Sequence, residues 1–213
     1  MIYKKQDSKV YNTTLSFRVM VKEKAEKKGI KEISKEEIQA KIKLLSPFVR
    51  IEFLEKYLKQ SLSMETRKFC HIALVELYES RKLYGQAAAH MKIAGDITAS
   101  FNEKMNFYLK EAELWIKAEN YEKAEGAFVN ASRDAKSGGK FEVKLKRKEI
   151  YTKQAESFEK TNQRNKALKI YENLYQNSEE SEREKLKEKL LYLYEKLGKI
   201  QEYSMLKYSS LNM

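Results

Sequence analysis

The apolar positions of the chain follow a helical spacing that recurs. In residues 119–131, Tyr121, Ala124, Phe128 and Ala131 are separated by three, four and three positions, which places them on one face of a helix. The same spacing begins again at three other positions, which makes four copies along the chain. Those positions are Tyr84, Arg164 and Ile200. The third copy has conservative substitutions, and the fourth keeps the spacing but not the residue types.

A second set of positions, upstream of each copy, agrees independently. Six residues before each starting position the side chain is always aromatic, and these residues are Tyr78, Trp115, Phe158 and Tyr194. Nine residues before it the side chain is small or aliphatic: Val75, Ala112, Ala155 and Leu191. The pattern predicts two helices joined by a short polar turn, and pairs of this kind bury their apolar stripes by stacking.

Residues 66–211 resemble the tetratricopeptide repeat (TPR) family. The resemblance is clearest in the second copy and rests on Ala112, Trp115, Tyr121, Ala124, Phe128 and Ala131. The intervals of 37, 43 and 36 residues exceed the family period of about 34, and no repeat ends in proline. These departures are more similar to the TPR-like solenoids of the vesicle-fusion attachment proteins, and a generic helical bundle is the alternative.

The predicted fold is therefore all-α, a TPR-like helical-hairpin solenoid of about ten helices over residues 34–213. One helix pair is expected at 34–60, since Ser34 and Glu37 form a capping box and Pro47 suits a first helical turn. Four repeats follow, at about 66–98, 103–136, 141–177 and 181–211. Ser100 and Glu103 predict a second capping box, and the Ser-Gly-Gly sequence at 137–139 predicts a helix end.

Residues 1–33 are predicted to form a basic N-terminal arm. Within it apolar residues alternate with polar ones, which is the period of a β-strand; they are Leu15, Phe17, Val19 and Val21. A lone strand must pair, and the pairing would be with a symmetry copy, giving a homodimer, or with a partner's sheet edge. A helical or a disordered arm remains the alternative.

Composition and charge narrow the range of functions. The chain has 213 residues, one Cys and a net charge of +12, and residues 1–45 carry half of that excess, with 12 basic and 6 acidic side chains. An excess of this kind favours nucleic acid or another anionic surface as a partner, although solubility alone also explains it. Without an apolar run long enough for a membrane span or a signal peptide, we expect a cytoplasmic protein.

The sequence contains no arrangement that predicts catalysis. Cys70 and His71 are adjacent, so on a helix their side chains point in different directions, and His90 does not complete a zinc-ligand spacing. No glycine-rich phosphate loop is present. We therefore expect no enzyme, no cofactor, no metal and no small-molecule substrate.

The resemblance implies a partner groove lined by the first helix of each pair. The residues that its register places there are Glu76, Glu79, Glu113, Lys117, Glu156, Glu159 and Tyr192. Acidic residues stand where a carboxylate-binding member of the family has its central asparagine. The prediction is a mildly acidic groove suited to a basic or amphipathic segment or to the protein's own N-terminal arm, and a solvated face is the alternative.

A basic cluster over residues 136–153 predicts contact with a polyanion. Its cations are Lys136, Lys140, Lys144, Lys146, Arg147 and Lys148. Several of them recur at helical spacing on one face, as phosphate contacts require. The leading functional hypothesis is a non-enzymatic TPR-like scaffold that binds a protein or a large assembly. The alternative is a ribosome- or RNA-associated factor that uses the arm and this cluster.

Overall fold

A computed structural model describes residues 33–133 and 137–208. Over these residues all regular structure is helical, in ten helices with no strand, which confirms the all-α prediction. The helices are α1 (Lys35–Leu44), α2 (Pro47–Leu58), α3 (Met64–Ser80), α4 (Tyr84–Asp96), α5 (Phe101–Lys117), α6 (Tyr121–Arg133), α7 (Ser137–Lys160), α8 (Arg164–Gln176), α9 (Glu180–Lys196) and α10 (Ile200–Tyr208). The predicted arm, with Leu15, Phe17, Val19 and Val21, lies outside the described residues.

The chain divides into two compact units, the first ending at Cys70 and the second beginning at His71. In the first unit, the Ser34 hydroxyl accepts a hydrogen bond from the Glu37 backbone N–H, and Pro47 occupies the first turn of α2. Both features follow the sequence prediction. Ile38 and Leu54 are fully buried, so α1 and α2 each contribute an inward face.

In the second unit, each helix packs against its neighbour in sequence from α4 to α6 and again from α7 to α10. Helix α7 contacts both α5 and α6, which makes one continuous core. Five alanines of the repeated spacing are fully buried, and their small side chains permit close approach of the helices; they are Ala87, Ala112, Ala124, Ala155 and Ala167. Aromatic side chains such as Phe128 and Tyr151 fill the space beside them, with ring centroids 5.9 Å apart.

The four predicted turns share one backbone geometry. In each of them the residue two positions before the second helix has a left-handed conformation, at Lys82, Glu119, Asn162 and Gly198. The next backbone N–H bonds to the carbonyl of the aromatic residue five positions earlier, as in Asn120 to Trp115 at 2.9 Å and Lys199 to Tyr194 at 2.9 Å. This is the bond that closes a Schellman motif, so the aromatic position also terminates the first helix.

Two local predictions were wrong. Ser100 precedes α5 as expected, but its side chain makes no capping hydrogen bond. The Ser-Gly-Gly sequence begins α7 at residue 137 instead of ending the helix before it, since α6 already ends at Arg133. Helix α7 therefore has 24 residues against 17 in α5, and the seven additional residues add about two turns.

Among the described residues, the helices are all too short or too polar to cross a membrane.

Candidate functional site

Three of the residues predicted to line a groove meet in one ion cluster that joins α3 to α5. The ammonium group of Lys117 lies 2.8 Å from Glu79 Oε1 and 2.8 Å from Glu113 Oε1. Lys110, which the prediction did not include, lies 3.2 Å from Glu79 and 3.3 Å from Glu113. Two lysines and two glutamates thus neutralise one another on this face.

The cluster shifts the titration of its members. Burial raises the pKa of Glu79, but the hydrogen bonds and charges of Lys117 and Lys110 outweigh burial and hold that pKa below its usual range. Burial lowers the pKa of Lys117, and Glu113 and Glu79 raise it by more. Both shifts favour the ionised forms of Glu79 and Lys117.

Next to this cluster, a groove of about 540 Å³ runs between α5 and α7. We call it the α5–α7 groove. Its lining is Asn106, Leu109, Lys110, Glu113 and Lys117 from α5, with Lys146, Glu149, Ile150, Lys153, Gln154 and Ser157 from α7. Four lysines against two glutamates make this lining basic on balance, whereas the sequence predicted a mildly acidic groove.

The two walls of the groove carry the same charge pattern. On α5, Glu113 accepts from lysines three residues before and four residues after it. On α7, Glu149 does the same with Lys146 at 2.9 Å and Lys153 at 2.6 Å. These bonds lower the pKa of Glu149 to about 2, while the bond to Glu149 and the Glu113 charge across the groove raise the pKa of Lys153.

The walls differ in how fully their lysines are neutralised. Lys110 and Lys117 share two carboxylates, those of Glu79 and Glu113. Lys146 and Lys153 share the single carboxylate of Glu149 and are also more exposed, at 49% and 72% of the side chain. The α7 wall therefore retains unbalanced positive charge.

Between the walls, Leu109 is buried and Ile150 is half-buried, so the floor offers apolar surface. Asn106 and Gln154 add amide groups that can both donate and accept hydrogen bonds. Chemically, the groove can hold carboxylates on its ammonium groups and an apolar side chain on its floor.

The remaining predicted groove residues lie elsewhere. Glu76, Glu156 and Tyr192 are exposed and are not part of the groove lining. Glu159 accepts a hydrogen bond from the Tyr171 hydroxyl at 2.8 Å and pairs with Lys189 of α9 at 3.2 Å. It therefore links α7 to α8 and α9.

Most of the predicted polyanion cluster is engaged within the protein. Lys144 pairs with Glu179 at 2.8 Å, Lys148 pairs with Glu182, and Arg147 holds Glu125 through two nitrogens at 3.0 Å. Lys146 belongs to the α7 wall of the groove, Lys140 is exposed, and Lys136 lies outside the described residues. These ion pairs tie α7 to α6 and to the start of α9, and binding of a polyanion would have to displace them.

The signal that would have found the groove is a spacing. Lys-x-x-Glu-x-x-x-Lys occurs at 110–117 and again at 146–153, a separation of 36 residues. The repeat register between the same two helices is 43 residues. Aligning the copies therefore equates Glu113 with Glu156, two turns beyond Glu149 on α7. Lys110 and Lys153 occupy one position of the 43-residue register, and the predicted groove residues did not include that position.

The histidines form a contact of their own between α3 and α4. Their Nδ1 atoms, on His71 and His90, lie 2.9 Å apart, and the Tyr78 ring stacks on His90 with centroids separated by 5.5 Å. In the first unit, burial raises the pKa of the Cys70 thiol to about 11, which keeps it protonated at neutral pH. Among the described residues, no three His, Cys, Asp or Glu side chains are grouped as a metal site requires.

Compared with protein-family models, with curated proteins and with solved structures, the chain has no significant match in any of the three. The resemblance to the TPR family therefore stays a prediction.

Proposed function

We propose that the protein is a non-catalytic, TPR-like helical scaffold that binds a protein partner in the α5–α7 groove. The recurring turn and the stacked neighbours from α4 to α10 support a solenoid of helix pairs. In such an architecture the first helices of successive pairs share a face. In this protein, ion pairs join α3 to α5 through Glu79, and α7 to α9 through Glu159.

The groove is the single observation that carries the proposal. It is open, it extends along two helices, and it combines an apolar floor with charged walls. An extended or helical segment of another protein can use all three features at once, since its side chains alternate between apolar and charged groups along its length.

Photo-crosslinking from inside the groove tests the proposal. With p-benzoylphenylalanine at position Gln154, we expect a discrete protein adduct in a native lysate that survives nuclease treatment. The matched control places the same group at Glu122, which is exposed on α6 and lies outside the groove. Equal adducts at both positions, or none at Gln154, would overturn the proposal.

A second candidate is an RNA- or ribosome-associated factor. The observation that favours it is the exposure of Phe141, at 62%, beside the exposed Lys140 at the start of α7, where a base could stack next to a cation. The ion pairs of Lys144, Arg147 and Lys148 count against it. In the crosslinking experiment, loss of the Gln154 adduct with nuclease would favour this candidate over the first.

A further inference from the structure

We infer that the α5–α7 groove selects an acidic protein segment, with two carboxylates on Lys146 and Lys153 and an apolar side chain between them on Leu109 and Ile150. The inference rests on the proposed function and adds to it the chemistry and the orientation of the partner. It follows from the difference between the two walls in how fully their lysines are paired with carboxylates.

The α7 wall can accept additional carboxylates. Lys146 and Lys153 each have three N–H donors, and one carboxylate, that of Glu149, is shared between them. Their side chains are 49% and 72% exposed, so a ligand reaches them without opening a buried contact. A second carboxylate on each lysine would complete a pattern that the α5 wall already has.

The α5 wall cannot accept them in the same way. Lys110 and Lys117 are two-thirds buried or more, and both are held between Glu79 and Glu113. An acidic group approaching this wall meets the two glutamates at close range, which is unfavourable. The acidic side of the partner must therefore face α7. This requirement fixes the rotation of the bound segment about its own axis.

The spacing of the lysines defines the spacing of the carboxylates. Lys146 and Lys153 are seven residues apart on a helix, which is about 10.5 Å along its axis. Carboxylates seven residues apart on a partner helix match this distance. This arrangement leaves room for an apolar residue above the floor.

A nucleic acid fits the same groove less well. Its affinity comes from many phosphates neutralised by many cations, and here two lysines are incompletely paired while Glu79, Glu113 and Glu149 add negative charge. A partner with few, separated negative charges avoids this repulsion.

The test measures binding of defined probes to the full chain by fluorescence anisotropy. The acidic probe is a labelled, Ala-rich helical peptide of about 14 residues with two Glu seven positions apart and Leu between them. The neutral probe has Gln in place of both Glu, and the third probe is an oligouridylate of about 12 nucleotides. We expect the acidic peptide to bind about tenfold more tightly than the neutral one, and more weakly as salt is added.

Two double variants locate the binding. Lys146→Gln with Lys153→Gln should weaken binding of the acidic peptide about tenfold. Lys140→Gln with Lys160→Gln removes the same charge from exposed positions of the same helix outside the groove, and should change it less than about twofold. Circular dichroism of both double variants confirms that the helices are intact.

Three results would overturn the inference. They are equal binding of the acidic and neutral peptides, equal weakening by the two double variants, and tighter binding of the oligouridylate that the groove variants reduce. If the Gln154 crosslink still captures a nuclease-resistant protein in any of these cases, the proposed scaffold function stands and only the acidic chemistry fails. If the crosslink also fails, the scaffold function is overturned with it.

Discussion

Two helix pairs with the same turn, α5–α6 and α9–α10, differ sharply in burial. In the first pair both helices bury apolar residues, including Ala112 and Ala124. In the last pair α10 buries none, and Ile200 and Met205 are 75% and 68% exposed. Helices α5 and α6 both contact α7 in addition to each other, whereas the main contact of α10 is with α9.

The difference shows that local sequence determines the geometry of the turn, whereas adjacent helices determine how far a pair is buried. The turn requires one residue in the left-handed conformation and a backbone carbonyl, one helical turn earlier, that can accept a hydrogen bond. Both pairs meet these two requirements. Burial requires a surface on each side, together with small residues where backbones approach. Between α5 and the preceding helix α4, this approach is close enough for the Tyr108 ring to lie against Gly95, where an added Cβ would be 3.0 Å from the ring.

The largest expected contrast comes from deleting one large apolar side chain in each pair. Phe128→Ala should lower the free energy of unfolding by about 3–5 kcal/mol, because the ring is buried against Tyr151 and leaves a cavity. Urea unfolding followed by circular dichroism measures the change.

Met205→Ala is the matched deletion in the last pair. Because this side chain is exposed on α10, we expect its removal to cost less than about 0.5 kcal/mol. A cost comparable to that of Phe128→Ala would mean that the Met205 side chain is packed, and the comparison between the two pairs would fail.

The well-packed pair also contains a buried charge that should make its stability depend on pH. Glu111 is 4% exposed on α5; its Oε1 accepts a hydrogen bond from Trp115 at 3.1 Å, and no described group bonds to its Oε2. Burial raises its pKa from 4.5 to about 7, against the opposing effects of the Trp115 bond and of Lys92, with Asp96 adding to the rise. The folded protein therefore binds a proton that the unfolded chain releases between pH 4.5 and 7.

Stability contributed by the protonated carboxyl is present below pH 4.5 and is lost as the pH rises to about 7. Glu111→Gln keeps a neutral group at all pH values, so it should match the wild type at pH near 4.5 and exceed it at pH 8 by up to about 3 kcal/mol. Glu122→Gln, on the exposed face of α6, is the control and should leave the pH profile unchanged. A Glu111→Gln profile parallel to that of the wild type would show that this carboxyl is ionised in the folded state.

The sequence predicted the all-α class because the signals of helices are local. The repeated pattern has an aromatic residue near the end of the first helix, then a short polar turn, then a second helix with one apolar stripe. These features all lie within about 35 residues of sequence, and Trp115, Tyr121 and Phe128 lie at the expected positions. The start of α7 was misplaced because glycines at 138 and 139 were interpreted as a helix end, although a helix can begin there once α6 has already ended.

The candidate site was harder to predict because it depends on which parts of two helices face each other. The register of the repeat placed Glu113 and Lys117 together with Glu79, and the structure brings these three into one cluster. It did not include Lys153, because the register position that Lys153 shares with Lys110 was not among those predicted to face the groove. Similarly, a row of cations such as Lys144 and Arg147 gives no sign in the sequence of the glutamates that neutralise it from other helices.

The smallest contrast tests whether the turns of the two pairs are equivalent. Glu119 has a φ of 59° and Gly198 a φ of 68°, and a side chain in this region costs about 1 kcal/mol relative to glycine. Gly198→Ala should therefore destabilise the last pair by about 1 kcal/mol. Glu119→Gly should be more stable than Glu119→Ala by a similar amount, and comparing these two variants removes the effect of losing the ion pair with Lys166. Unfolding midpoints measured at pH 7 give both differences. Because the strain is local, equal values are expected although the pairs differ in burial, and a value near zero at either site would mean that its backbone leaves the left-handed region.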